Sequence, residues 1–188
     1  MGSYRRQFAR AFGSEGVSLG RLVAALASFE RTLVAGDAPV DRVLTHGDSG
    51  ALTARARRGF HLFLGKARCV VCHEPARFTE ERFHNTGVAW NGSVYKDSGR
   101  YGISRRLEDL GAFKTPTLRN VELTAPYMHD GSIATLEDVI SFYDRGGNPN
   151  PGLDPLVRPL GLSPTERADL AVFLRSLTGM GVRRRRGC

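Results

Sequence analysis

The pentapeptide Cys69-Val70-Val71-Cys72-His73 constrains this chain more than any other feature. Two thiols three positions apart, with an imidazole directly behind the second, have the spacing of a covalent c-type haem attachment site. Each thiol adds across one of the two vinyl groups of a porphyrin, and His73 then lies under the iron as a proximal ligand. A fold built on this motif has to wrap around a porphyrin. Two other uses of paired cysteines fit less well. A redox C-x-x-C is expected in a βαβ setting, and no such pattern surrounds residues 69–72. A zinc site needs a second pair of ligands, and the remaining cysteine, Cys188, is alone at the far end of the sequence.

The segment leading into the motif is apolar. Gly59-Phe60-His61-Leu62-Phe63-Leu64-Gly65 has Phe60, Phe63 and Leu64 at helical spacing, a face able to cover a porphyrin edge. The 188 residues allow one domain with a real core, or one domain and an arm. A hydrophobic content of 41% is ordinary for a globular chain, and no apolar run approaches the length of roughly 18 residues that spans a bilayer. The net charge is +8, from 27 Lys and Arg against 19 Asp and Glu, and Arg183-Arg184-Arg185-Arg186 holds part of the excess. Such a surface favours acidic partners or anionic membranes, or is simply solvated charge. No nucleic-acid-binding module is recognisable.

Helices account for most of the remaining pattern. Ser18 precedes Leu19, Leu22, Val23, Leu26, Phe29 and Leu33, one apolar face of a helix that Gly36 is expected to close. His46-Gly47-Asp48-Ser49-Gly50 reads as a polar linker before the helix that enters the haem motif. From Glu74 to about Asn120 the pattern is irregular and glycine-rich, with loops at Phe83-His84-Asn85-Thr86-Gly87 and Asp97-Ser98-Gly99-Arg100. Thr135 caps a third helix whose inner face is Leu136, Val139, Ile140 and Tyr143, and Gly146-Gly147 ends it. Ser163, Pro164 and Glu166 form the cap, first position and capping box of a fourth, with Leu170, Phe173, Leu174 and Leu177 inward and Gly179 as the stop. The predicted fold is all-α, a cytochrome c-type haem domain with long loops.

Several motifs carry a family resemblance. Gly111-Ala112-Phe113-Lys114-Thr115-Pro116-Thr117-Leu118-Arg119-Asn120 continues into Leu123-Thr124-Ala125-Pro126-Tyr127-Met128-His129-Asp130-Gly131-Ser132. Together with the two loops above, this run resembles the C-terminal haem domain of bacterial di-haem cytochrome c peroxidases and their MauG-like relatives. Ala27-Ser28-Phe29-Glu30-Arg31-Thr32-Leu33 resembles the segment joining the two haem domains of that family. The likeness runs from about Tyr4 to Gly179. It implies residues 1–50 as a helical segment and linker left from a preceding haem domain, 51–180 as the cytochrome c-type domain, and 181–188 as a basic tail. Family members have two haems, and hydrogen peroxide reacts at the N-terminal one beside a distal acid. This sequence has one C-x-x-C-H. The resemblance therefore implies one haem c, the six-coordinate haem that stores or relays an oxidising equivalent and faces the electron donor. It also implies that the peroxide-reacting haem, with its domain as partner, lies outside this sequence, so that no catalytic residue is expected in this chain.

The second axial ligand has five candidates: Met128, His129, His84, Tyr143 and Met180. By bare chemistry Met128 is attractive, because a thioether opposite histidine gives an electron-carrying cytochrome. The resemblance points to Tyr143, since MauG-like members have tyrosine at that place and electron-relaying peroxidases have methionine. A phenolate there lowers the potential and favours oxidised iron. A core tyrosine with a hydrogen-bonded hydroxyl stays open as the plainer reading. Thr124 and Pro126 match positions whose carbonyls help bind an interdomain calcium ion in the intact two-domain family, though for this chain alone shaping a loop is the better reading. One of Arg119, Arg100 and Lys114 is a candidate partner for a haem propionate, with solvated charge an equal reading; His84 and His129 fit loop positions around the site, and Trp90 fits a packing role better than an electron-relay one. Cys188 reads as a free thiol or a boundary residue.

Covalent haem attachment in bacteria takes place outside the cytoplasm, so the expected location is periplasmic. Met1-Gly2-Ser3-Tyr4-Arg5-Arg6-Gln7-Phe8 has no apolar targeting core, from which a start further upstream, or a piece of a longer gene, is expected. The expected function is an electron-transfer domain of a peroxidase-type oxidoreductase, with an electron donor protein or small redox molecule as partner. The alternative is a free-standing monohaem cytochrome c with Met128 as ligand.

Overall fold

The computed structural model describes residues 2–179. Met180, Cys188 and the basic tail at 181–188 lie outside the described residues. The described chain forms two compact units, residues 2–34 and 35–179.

The first unit holds α1 (Gly2–Phe12) and α2 (Leu19–Glu30). Helix α1 is arginine-rich and was not legible from hydrophobic periodicity; Phe8 and Phe12, one turn apart, bring their rings to 5.4 Å. Helix α2 begins where expected, with the Ser18 hydroxyl accepting from the Arg21 amide at 3.3 Å. It stops at Glu30 rather than at Gly36. The Thr32 hydroxyl donates to the Phe29 carbonyl at 2.6 Å and the Thr32 amide to the same carbonyl at 2.9 Å, which takes up the acceptor that a further turn would need. Its apolar face is exposed throughout, Leu19, Leu22, Val23, Leu26 and Phe29 included.

The second unit holds α3 (Pro39–His46), α4 (Ala54–Leu64), the short α5 (Tyr101–Ser104), α6 (Leu136–Asp144) and α7 (Pro164–Arg175). Helix α3 falls in a stretch that gives no periodic signal, yet it is well specified: Pro39 takes the first position, and the Asp41 carboxylate accepts from the Ala38 amide at 3.0 Å. Residues 35–50, grouped by sequence with the N-terminal segment, pack within this unit, where Ala38 and Val40 are fully buried. Helices α6 and α7 carry the expected caps, Thr135 and Ser163, the latter in a full capping box with Glu166.

Helices α4 and α7 form the rigid side of the unit. They touch at Gly59, where a Cβ would stand 2.1 Å from the Asp169 carbonyl oxygen, so only glycine permits this approach. Arg55 and Arg58 of α4 then grip the buried Asp169 carboxylate at 2.9 and 2.6 Å. Above this contact Phe63 of α4, Phe173 of α7 and Phe78 pack with ring centroids 5.1 to 6.4 Å apart, all three fully buried. Each such side chain contributes roughly 1.5–3 kcal/mol through burial. The opposite side is loops. Besides the short α5, residues 65–135 contain 3-10 turns and one minimal antiparallel pair, β1 (Phe83–His84) with β2 (Phe113–Lys114). The architecture is helical with very little sheet, as an all-α cytochrome c-like fold requires.

Candidate functional site

Helix α4 ends at Leu64, and the chain turns sharply into the cysteine motif. The Ala67 amide bonds back to the Leu62 carbonyl, and Arg68 adopts a left-handed conformation, φ 53°. Cys69–Val71 form a 3-10 turn, whose Cys69 carbonyl accepts from the Cys72 and His73 amides at 3.3 and 2.9 Å. This compact turn delivers Cys69, Cys72 and His73 together to the wall of one cavity of about 460 Å³. That volume lies in the range of cofactor sites.

His73 is held in a particular tautomer. Its Nδ1 lies 2.9 Å from the Phe78 carbonyl, so Nδ1–H donates and Nε2 is left with a free lone pair. Burial pulls its pKa below the usual imidazole value, against the pull of the Phe78 carbonyl, and keeps the ring neutral. A neutral imidazole oriented by a backbone carbonyl is the form in which histidine ligates a metal. Both thiols are free and half-buried. Burial, above other causes, pushes each up to about 12, so they stay protonated rather than reactive anions.

Helix α6 forms the far wall. Leu136, Val139, Ile140 and Tyr143 all line the cavity, the face that periodicity identified. Tyr143 sits on the last turn, its ring packed edge-on to Phe142 at 5.2 Å. Burial first, then the neighbouring Cys69 and Cys72, push the phenol up to about 12. It therefore stays neutral unless a cation takes its proton's place. Met128, in a left-handed loop conformation of φ 70°, lines the same cavity. So do Thr124, Pro126, His84 and His129. The fold thus gathers every candidate ligand among the described residues. Met180 lies outside them.

The cationic candidates separate. Lys114 lines the cavity. Arg119 instead makes a bidentate pair with Asp41 at 2.8 and 2.9 Å and is spent on holding α3 to the loops. Arg100 stacks over the Phe83 ring at 4.0 Å and pairs with Asp109 at 3.3 Å. Trp90 packs edge-on to Tyr95 at 4.8 Å, a structural contact. Two cationic cavity residues escaped the sequence reading, Arg68 and Arg158. Arg68 precedes Cys69 directly and was legible as a cation beside the motif. Nothing local marks Arg158, which comes from a loop far along the chain.

The fit to a haem can be tested on the protein atoms themselves. Arg68 lines the cavity, and its Nη1 is buried with no hydrogen-bond partner among the described residues. A buried unpaired guanidinium nitrogen is costly unless an anion meets it. A haem propionate would supply that anion, and the donor set of two thiols and one free imidazole nitrogen suits the rest of the group. These residues fit the group.

Comparison with known proteins agrees. A family model described as "Di-haem cytochrome c peroxidase" matches residues 1–49. Methylamine utilization protein MauG of Methylorubrum extorquens is 42% identical over 175 residues, covering 93% of this chain and 49% of that protein. Cytochrome c551 peroxidase of Nitrosomonas europaea is 34% identical over 180 residues, 95% of this chain and 50% of that one. The solved structure of a MauG-like protein associated with microbial copper homeostasis superposes with a TM-score of 0.74 at 32% identity, covering 93% of this chain and 66% of that one. The chain spans about half the length of the curated relatives it matches. Membership in this group implies haem c as the cofactor. The cysteine motif, the cavity it opens on and these relatives lead to one conclusion: the chain belongs to the di-haem cytochrome c peroxidase and MauG-like family.

Proposed function

We propose that this chain is a c-type haem-binding electron-transfer domain of a peroxidase-type oxidoreductase, with Cys69 and Cys72 as covalent anchors and His73 as proximal iron ligand. The observation that supports this best is the shared cavity, on which both thiols and the free Nε2 of an oriented, neutral His73 converge. When bound there, a haem supplies one-electron chemistry at iron. The chain's own residues do the rest. Phe78 fixes the His73 tautomer through its carbonyl. Arg68, Lys114 and Arg158 offer cations for propionates. Leu136, Val139, Ile140 and Phe63 exclude water and lower the local dielectric, which strengthens each of these interactions.

Tyr143 would be the second residue to hold the iron in this reading. Its hydroxyl makes no hydrogen bond among the described residues, although it faces a cavity wall carrying both thiols. A core tyrosine usually satisfies its hydroxyl. Met128 carries the competing assignment, because it lines the same cavity. The intact protein would pair this domain with a second haem domain that reacts with peroxide, in the periplasm, with a protein or small-molecule electron donor. Thr124 and Pro126 would lend carbonyls to a calcium ion between the two.

Expression with periplasmic cytochrome c maturation tests the central claim. Denaturing mass spectrometry should show one covalent haem, lost in Cys72→Ser. A mass equal to that of the polypeptide alone would sink it. The ligand assignment has its own test. Tyr143→Phe should convert the ferric iron to high spin or recruit another ligand, with a changed Soret band, while Met128→Leu leaves the spectrum nearly unchanged. The opposite pair of results returns the site to Met128 and an ordinary electron carrier.

A further inference from the structure

His84 lies on the cavity wall with its Nε2 only 3.9 Å from the Cys72 sulfur. It is clasped between two carboxylates. Nδ1–H donates to Asp154 at 2.6 Å and Nε2–H to Glu80 at 2.7 Å. All three side chains are less than one-fifth exposed, at 13%, 19% and 11% for His84, Asp154 and Glu80. The Thr115 hydroxyl donates to the same Glu80 oxygen at 3.1 Å, and no cation besides His84 pairs with either carboxylate among the described residues. With both carboxylates ionised and His84 protonated, the group holds two negative charges against one positive, a net −1 in a largely buried place beside the Cys72 sulfur. Cys72, Glu80 and His84 also have the spacing of a cation site. Attachment of haem would consume the Cys72 thiol, however, and leave a charge cluster instead.

We infer that Glu80, His84 and Asp154 form a charge-setting cluster whose net negative charge stabilises the oxidised over the reduced iron of the haem anchored at Cys72. The inference rests on the haem reading above and adds the residues that tune it. A unit charge roughly 10 Å from a redox centre, at an effective dielectric of about 20, changes the ratio of its oxidised to reduced form on the order of tenfold. The effect persists at moderate salt because the cluster is only slightly open to solvent. It is also opposed to the cations of Arg68, Lys114 and Arg158, which haem propionates would neutralise. His84 and the two carboxylates are positioning residues here; none is asked to touch iron.

Charge makes a prediction that packing does not. Removing a negative charge and removing the positive one must act in opposite directions and cancel together. In the haem-loaded chain, Glu80→Gln should raise the midpoint potential, shifting the Fe(III):Fe(II) ratio at fixed potential several-fold toward Fe(II). Asp154→Asn should act in the same direction. His84→Asn should shift it several-fold toward Fe(III). The double variant E80Q/H84N restores the net −1 and should return close to the parent. Potentiometric titration followed at the Soret band reads all four, with an unchanged ferric spectrum as the check on axial ligation. Single variants shifting in the same direction, or a double variant displaced further than either single, would show a packing effect and overturn the inference. Failure of the parent chain to carry a haem would overturn the haem reading instead, and mass spectrometry tells the two failures apart.

Discussion

Helices α2 and α6 begin in the same way and end up in opposite surroundings. Each has a hydroxyl residue, Ser18 or Thr135, accepting from the amide three residues on, and each then repeats apolar residues at helical spacing. On α6 that face is sealed: Leu136 and Ile140 are 3% and 4% exposed and line the cavity with Val139 and Tyr143. On α2 the corresponding face is open, with Leu26 at 53% and Phe29 at 62%. Periodicity says which side of a helix is apolar. Only tertiary contacts say whether anything covers it, and the stabilisation comes from the covering.

Substitutions on the two faces should differ sharply. The largest effect is expected from Ile140→Asp, which places an unpaired carboxylate against the cavity wall and should prevent cooperative folding and haem loading. Phe29→Asp at the matching face of α2 should leave thermal unfolding of this chain almost unmoved; comparable losses at the two sites would erase the contrast. Truncation sharpens it. Ile140→Ala should cost about 2–5 kcal/mol by urea titration of the haem-loaded protein, from lost transfer energy and the cavity left behind. Gly59→Ala reports on the rigid side of the same unit: a methyl 2.1 Å from a backbone oxygen forces α4 and α7 apart, at a cost of about 1–3 kcal/mol or more.

Acid titration should expose the ion pairs of this unit next. Arg58, then Arg55, hold the Asp169 carboxyl below the usual range, and Arg119 does the same for Asp41. A carboxylate depressed in the folded state contributes stability fully above its unfolded pKa of about 4 and loses it as pH falls through the folded value. Stability should therefore decline below about pH 4, and Asp169→Asn should flatten that decline in a pH series of unfolding midpoints. His84 has the reverse sign. Burial pulls its pKa down, but hydrogen bonds to Asp154 and Glu80 outweigh it and leave the value raised. Its contribution is present below its unfolded pKa of about 6.5 and fades as pH rises through the folded value. The smallest effect is expected at Leu26→Ala on α2, within about 0.5 kcal/mol of the parent. A loss of 2 kcal/mol there would mean that the face is covered in solution.

Local chemistry was legible where it acts over a few residues. The cysteine motif, the caps Ser18, Thr135 and Ser163, and the inward face of α6 all follow from neighbours within one or two turns. Helix α3 was missed because its signal is a proline and a carboxylate cap rather than an apolar stripe. Helix α1 was missed because arginines dominate it.

The sequence by itself determined the cysteine motif, the helical class and the family likeness, because motif spacing and capping are properties of contiguous residues. The tertiary structure alone decided which side chains meet at the cavity. His84 and Asp154 are seventy positions apart, and Arg55 and Arg58 lie more than a hundred from Asp169. Arg119, read as a propionate partner, is committed to Asp41 across 78 positions, while Arg68 keeps a buried nitrogen free. Such pairings depend on how the loops close over α4, α6 and α7, and burial then fixes which charges can stay unpaired.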